Sequence, residues 1–283
     1  MRLGPVSGQG GSLLVATALL CACSPSADRG EPAVNAADDA ATTNYVKQMA
    51  GAQPPPAAPP SHPFEQADRT GQLQFVYAWP AQAAAIPAIA EKLRQEMIVG
   101  KADALKMARE DQKAAAQAGF PFHTHSLETR WTVTADTPRF LSLEATVYSF
   151  TGGAHGMTSY HALLWDKERQ RETSLAAVMT SSQAFAAAIH DGFCAALDKA
   201  RARKRGGPIM RGDDPFTKCI DPMQEVLVPT SRDGQLIDGI TVVVGPYSAG
   251  PYSEGTYEVK LPVDAALRKV IKTDYQGAFA GGS

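Results

Sequence analysis

The stretch Leu127–Val147, LETRWTVTADTPRFLSLEATV, decides the fold. Leu127, Thr129, Trp131 and Val133 alternate with Glu128, Arg130 and Thr132, and Leu141, Leu143, Ala145 and Val147 alternate with Ser142, Glu144 and Thr146. A period of two puts each set on one face of a strand, the pattern of a sheet with one side in the core. Asp136-Thr137-Pro138 supplies the turn chemistry between them, so the two runs form a hairpin. Downstream, beyond Thr151-Gly152-Gly153-Ala154-His155-Gly156, a further run alternates Tyr160, Ala162 and Leu164 with His161, Leu163 and Trp165, which predicts an adjacent antiparallel strand.

Upstream, Leu73, Phe75, Tyr77 and Trp79 alternate in the same way. Between this strand and the hairpin, Pro87 suits a first helical position. Ile86, Ile89, Ala90, Leu93 and Met97 then recur at three- and four-residue intervals, on a face continuing through Leu105 and Ala108 to about Ala118. The first half therefore reads β-α-β-β-β. The second half opens with a helix capped by Ser181 or Ser182, with Phe185, Ile189, Phe193 and Leu197 spaced by four, ending in KARARKR and a Gly206-Gly207-Pro208 stop. Strand-like runs follow around Val226–Val228, Ile237–Val244 and Thr256–Leu261, then a short helix from Pro262 to Ile271. The expected class is α+β. It comprises two small modules, residues 64–174 and residues 175–275 (α-β-β-β-α), antiparallel sheets with helices packed on them, and a flexible tail at 276–283.

The N-terminus carries a different message. Arg2 precedes an apolar run from Leu13 to Ala22, which suits a signal peptide over residues 1–22 and is too short for the roughly 20 residues that span a bilayer. Leu20-Cys21-Ala22-Cys23 has the lipobox pattern, in which the Cys23 thiol takes a diacylglycerol before cleavage and the new amino terminus is acylated as well. The expected product is a lipoprotein attached to the membrane through Cys23. Ser24, rather than Asp, after that cysteine points to the outer membrane. Residues 23–63 are rich in Ala and Pro and end in QPPPAAPPSHP, a composition too poor in large hydrophobes to offset ordering entropy. Such a tether reaches roughly 35 Å as a coil and holds the body in the periplasm.

In that compartment disulfides persist, so Cys194 and Cys219, the two cysteines of the body, are expected to pair. The chain is 44% hydrophobic and 20% charged with a formal charge of −2, and removal of Arg2 with the signal peptide makes it more negative. That balance is globular and excludes a nucleic-acid footprint.

Thr151–Gly156, followed by a strand ending Leu164-Trp165-Asp166, resembles the signature of the domain that precedes the catalytic part of the peptidoglycan deacetylase PdaC. Gly245-Pro246-Tyr247-Ser248-Ala249-Gly250 and Tyr257–Pro262 resemble the partner domain in the ectodomain of the lysozyme-sensing anti-sigma factor RsiV, in the same order. The resemblance to this PdaC/RsiV-like envelope family covers about residues 64–271. It implies an exported or anchored protein of the cell envelope, with lysozyme or peptidoglycan as the expected class of partner. The sequence has neither a sigma-binding membrane segment nor a deacetylase domain, so neither activity is carried over.

No residue set imposes a reaction. His123, His125, His155 and His161 could converge as metal ligands, but their spacing matches no zinc site. The glycines of TGGAHG are explained by a need for positive φ, with His155 bonding the loop. Ser248 lacks the G-x-S-x-G frame of an exposed nucleophile. Tyr247 and Tyr252, in a glycine loop, are candidate ligand contacts, because tyrosines offer rigid amphipathic area. Lys199, Arg201, Arg203, Lys204 and Arg205 could bind anionic polymers, although cations at a helix C-terminus also complement its dipole. The expectation is a non-catalytic binding module without a cofactor, the alternative being a cell-wall hydrolase or deacetylase-like enzyme using the histidines.

Overall fold

The computed structural model describes residues 61–281. The signal segment, Cys23 and most of the tether lie outside the described residues. The chain order is β1 (Phe64–Arg69), β2 (Leu73–Trp79), α1 (Ala81–Ala84), α2 (Pro87–Ala118), β3 (His125–Asp136), β4 (Phe140–Phe150), β5 (Met157–Asp166) and β6 (Arg171–Thr173). Then come α3 (Leu175–Val178), α4 (Ser182–Arg205), β7 (Val226–Thr230), β8 (Gly239–Val244), β9 (Tyr257–Pro262) and α5 (Ala265–Val270). The class is α+β. Strands β1 to β6 lie in sequence order in one sheet, and β7, β8 and β9 form a second.

Local chemistry explains the long helices. Pro87 opens α2, and Gly119 ends it at φ 72° with its N–H on the Ala115 carbonyl. The Ser181 hydroxyl accepts from the Ala184 N–H at the start of α4, and Gly206 at φ 74° stops it. Ile89, Leu93 and Met97 of α2 are buried against one face of sheet 1, with Leu73, Phe75, Tyr77, Trp79, Leu143 and Leu163. At about 2 kcal/mol for each fully buried large apolar side chain, this face, not helix propensity, holds α2 in place.

Sheet 1 differs from the sequence expectation in its pairing and at both edges, where β1 and the short β6 are additional strands. It is mixed rather than antiparallel: β2 and β3 are parallel, Leu73 opposite His125 and Tyr77 opposite Thr129, because α2 forms the crossover between them. It also gains β1, which pairs antiparallel with β2 and stacks Phe64 on Trp79 with ring centroids 3.9 Å apart. As an edge strand β1 needs few apolar residues, so FEQADR carries little strand signal.

The second core lies on the other side of sheet 1. Phe140 and Leu164 join Phe185, Ile189, Phe193 and Leu197 of α4 and Ile240, Val242, Tyr257 and Val259 of sheet 2. β8 is buried along its whole length, which accounts for its unbroken GITVVV. Its other face, with Thr241, Glu258 and Lys260, meets Thr134 and Glu144 of sheet 1 across a polar seam. A register shift in β3 between Val133 and Ala135 accompanies a direct link there: the Thr134 hydroxyl donates to the Pro229 carbonyl at 2.9 Å. Sheet 1 ends at Thr173 and α3 starts at Leu175, and the described residues on both sides of this point belong to one compact unit.

The flexible tail expected from residue 276 is not found as far as residue 281. Phe279 is buried, the Ala280 N–H donates to the Ile237 carbonyl at 2.8 Å, and Arg268 Nη1 donates to the carbonyls of Phe279 and Ala280 at 2.9 and 2.6 Å. One large hydrophobe and one arginine thus order a segment whose glycines read as loose. Among the described residues, no helix is long and apolar enough to cross a membrane.

Cys194 of α4 and Cys219 of the following loop form a disulfide, with Cα atoms 5.4 Å apart. Thiol titration of the denatured, unreduced body should find neither cysteine free. Replacing both with serine should lower stability by about 2–4 kcal/mol. Two reactive thiols, or an unchanged urea midpoint in the double variant, would contradict this pairing.

Candidate functional site

The two motifs that carry the family resemblance meet in space. TGGAHG joins β4 to β5, and the loop from Gly245 to Thr256 joins β8 to β9. Gly152 and Gly153 take φ of 100° and 88°, the positive values that their pairing in the sequence predicts. The His155 ring stacks on Tyr252, centroids 3.7 Å apart and planes 16° from parallel. Tyr252 donates its hydroxyl to the Gly156 carbonyl at 2.9 Å, and His155 Nδ1 lies 2.9 Å from the same oxygen. Since a carbonyl only accepts, Nδ1 carries the hydrogen, and Nε2 is left to face the Tyr247 hydroxyl at 3.4 Å. Tyr160 and Thr256 join hydroxyls at 2.6 Å beside them.

These contacts give the tyrosines different jobs. Tyr252 is half-buried and ties one loop to the other, whereas Tyr247 is 49% exposed. Tyr247 also takes φ of 70°, a left-handed conformation that costs a bulky residue energy and persists only where surrounding structure imposes it. Tyr148 and Met157 are exposed as well, and the Tyr148 ring lies so close over Gly156 that a Cβ there would run into it. His155, Tyr148, Met157 and Tyr247 thus extend one aromatic and apolar surface.

What imposes the loop conformation is the basic end of α4. Arg201 is fully buried and donates from Nε to the Ala249 carbonyl at 2.9 Å and from Nη1 to the Lys218 carbonyl at 2.9 Å. Arg205 grips Glu254 with both ends, Nε to Oε1 at 2.7 Å and Nη2 to Oε2 at 2.9 Å. Lys204 donates to the carbonyls of Glu254 and Thr256 and stands 4.1 Å over the Tyr257 ring. Gly250 is required beneath this clasp, since a Cβ there would approach the Glu254 carboxyl carbon and the Tyr257 hydroxyl to 3.0 Å.

The run therefore does more than complement a helix dipole. Positions 201, 204 and 205 fall on one helix face and are spent on the loop, which the spacing i, i+3, i+4 could have signalled. Behind the loop, Glu225 lies next to Ser248 and Gly245. Burial raises the Glu225 pKa, while the Arg205 fork lowers that of Glu254.

The remaining candidates are dispersed. His125 is buried with Nε2 3.2 Å from Asp111 and its ring stacked against Phe122; His123 is exposed; His161 lines a separate cleft. His155 is engaged by Gly156 and Tyr247 and not by Ser248, so the two are not arranged as nucleophile and base. His190, Cys194 and Cys219 place potential ligand atoms within 4.8 Å of one another, but both sulfurs are committed to the disulfide.

Residues 67–158 match the family model described as Deacetylase PdaC. This part of the chain is similar to the PdaC domain. It runs from within β1 to the start of β5 and includes TGGAHG. No curated protein matches the chain. Among solved structures, a DUF3298 family protein from Pseudomonas aeruginosa PAO1 superposes with a TM-score of 0.49 at 17% identity, covering 79% of this chain and 98% of that one. A DUF3298 member from Bacteroides fragilis gives 0.45 at 16% identity, covering 77% and 95%.

The clasp makes stability depend on pH with a definite sign. The Glu254 pKa is lowered below its ordinary 4.5 in the folded state, so the pair contributes fully above that value and is lost as pH falls through the depressed one. Glu225, with a raised pKa, acts in the opposite sense and loses its penalty on acidification. Arg205→Met should lower stability by about 2 kcal/mol at pH 7, because it leaves the Glu254 carboxylate unpaired in a largely buried site. Urea melts at pH 7 and pH 3 should find this deficit shrinking at the lower pH. A deficit that is constant or grows on acidification would contradict the role given to the pair.

Proposed function

We propose that this protein is an envelope lipoprotein that binds a protein or cell-wall ligand through the aromatic surface around Tyr247, without catalysing a reaction on it. The carrying observation is Tyr247 itself: a half-exposed tyrosine held at positive φ, flanked by His155 and Tyr252 and backed by two arginines. A side chain ordered before binding loses little entropy on association, and aromatic anchors of this kind dominate interface energetics. Lysozyme and peptidoglycan are the ligands suggested by the resemblance to the PdaC/RsiV-like family. The similarity to the PdaC domain supports an envelope location, and the lipobox at Cys23 supports attachment to the outer membrane facing the periplasm.

The surface separates binding from stability. Tyr247→Ala should leave the melting temperature within a degree or two, since surface substitutions change stability little. It should weaken retention on immobilised lysozyme or on purified sacculi at least about tenfold, the size expected for loss of one anchor. Tyr252→Ala and His155→Ala should instead lower the melting temperature, because they break the stack and the bonds to Gly156. Wild-type retention by Tyr247→Ala, or a sacculus-degrading activity abolished by His155→Ala with an unchanged melt, would overturn the proposal.

A further inference from the structure

We infer a second ligand site: the cleft between α2 and sheet 1, which fits a single saccharide ring. α2 buries only Ile89, Leu93, Met97 and Ala108, and Gly100 offers no side chain, so beyond the helix Leu127 and Val147 of the sheet face stay partly exposed and His161 exposed. The resulting cleft has a volume of about 390 Å³, within the range of small-molecule sites. It shares no residue with the surface around Tyr247.

The lining has two chemistries. Leu127 and Val147, beside the buried rings of Tyr77 and Trp131, supply an apolar floor, and the rim carries Lys92, Glu96, Glu172 and His161. The Trp131 indole donates to the Tyr77 hydroxyl at 3.1 Å, and that hydroxyl donates to Glu96 at 3.3 Å. Burial pushes the Tyr77 pKa up to about 12, so the phenol stays protonated and keeps Glu96 in place as an acceptor. Lys92 lies 2.8 Å from Glu172 and 3.8 Å from Glu96, one cation between two carboxylates across the mouth. Carboxylate acceptors therefore outnumber the cation, and an anionic ligand is disfavoured.

A saccharide ring matches this arrangement. One face of the ring presents C–H groups to an aromatic and aliphatic floor, while its hydroxyls donate to the carboxylates at the edge. A purely apolar ligand would strip water from the carboxylate lone pairs that Lys92 and Tyr77 leave free, at a cost in free energy.

Gly100 provides a test that does not endanger the fold. A Cβ placed there has Leu127 Cδ2 at 3.9 Å as its nearest neighbour, an ordinary contact, and a longer side chain extends into the cleft. Since glycine is a poor residue inside a helix, Gly100→Leu should melt at the wild-type temperature or above it. The experiment titrates N-acetylglucosamine into the full chain freed of lipid and follows the Trp131 indole N–H by NMR, with cyclohexylammonium as a cationic comparison. A saturable shift with the sugar in the wild type, weakened at least about tenfold in Gly100→Leu, is the expected result. The inference is overturned by no saturable shift, by unchanged sugar binding in Gly100→Leu, or by saturation with cyclohexylammonium alone. Because Tyr247→Ala leaves this cleft intact, failure here and failure of the proposed function are distinguishable.

Discussion

Two guanidinium groups at the end of α4 are the constraint on which the rest of the surface depends. A fully buried Arg201 is tolerable only if its charge meets acceptors, and it finds the Asp198 carboxylate at 3.4 Å and the main-chain carbonyls of Ala249 and Lys218. Arginine suits this work better than lysine, because its planar fork is weakly hydrated and reaches several oxygens at fixed angles. Arg205 adds a bidentate pair with Glu254 and a bond to the Phe216 carbonyl at 2.9 Å. Together they hold both the loop after α4 and the loop before β9. The Cys194–Cys219 disulfide acts on the first of these, so covalent and ionic constraints converge on the same end of α4.

The consequence reaches the first half of the chain. A rigid Gly245–Thr256 loop lets Tyr252 stack on His155 and bond Gly156, which fixes the TGGAHG loop in turn. The aromatic surface is therefore made by both halves, although the PdaC-type match over residues 67–158 includes only one of the two loops. The link at Thr134 and Pro229 and the shared core at Phe140 and Leu164 keep the halves in register. Strain at Tyr247 persists because the loop on either side of it cannot relax.

Much of this was legible in the sequence where one physical signal dominated. Alternation located β2 to β5, and Pro87, Ser181 and Gly206 marked helix ends through capping chemistry. The TGGAHG glycines and the two cysteines also behaved as their chemistry requires. The signal failed where pairing or tertiary contact decides. FEQADR becomes β1 only because β2 offers it an edge, and the parallel pairing of β2 with β3 is a property of the crossover, not of either strand. The segment from residue 276 is ordered by Phe279 and a distant arginine. In the candidate site, Tyr247 and Tyr252 were identifiable as loop tyrosines, but their division into an exposed ring and a half-buried tie was not. Nor was the work of Arg201 and Arg205, because no local pattern states which carbonyls a buried guanidinium will meet.

The central claim is that the loop is ordered before any ligand arrives, and backbone amide exchange in the free protein measures that property directly. Amides of residues 246–256 that have protein acceptors, such as Glu254 and Gly255, should exchange far more slowly than open loop amides, and protection should fall in Arg205→Met. Exchange at the rate of an unstructured peptide across these residues in the wild type would contradict the account.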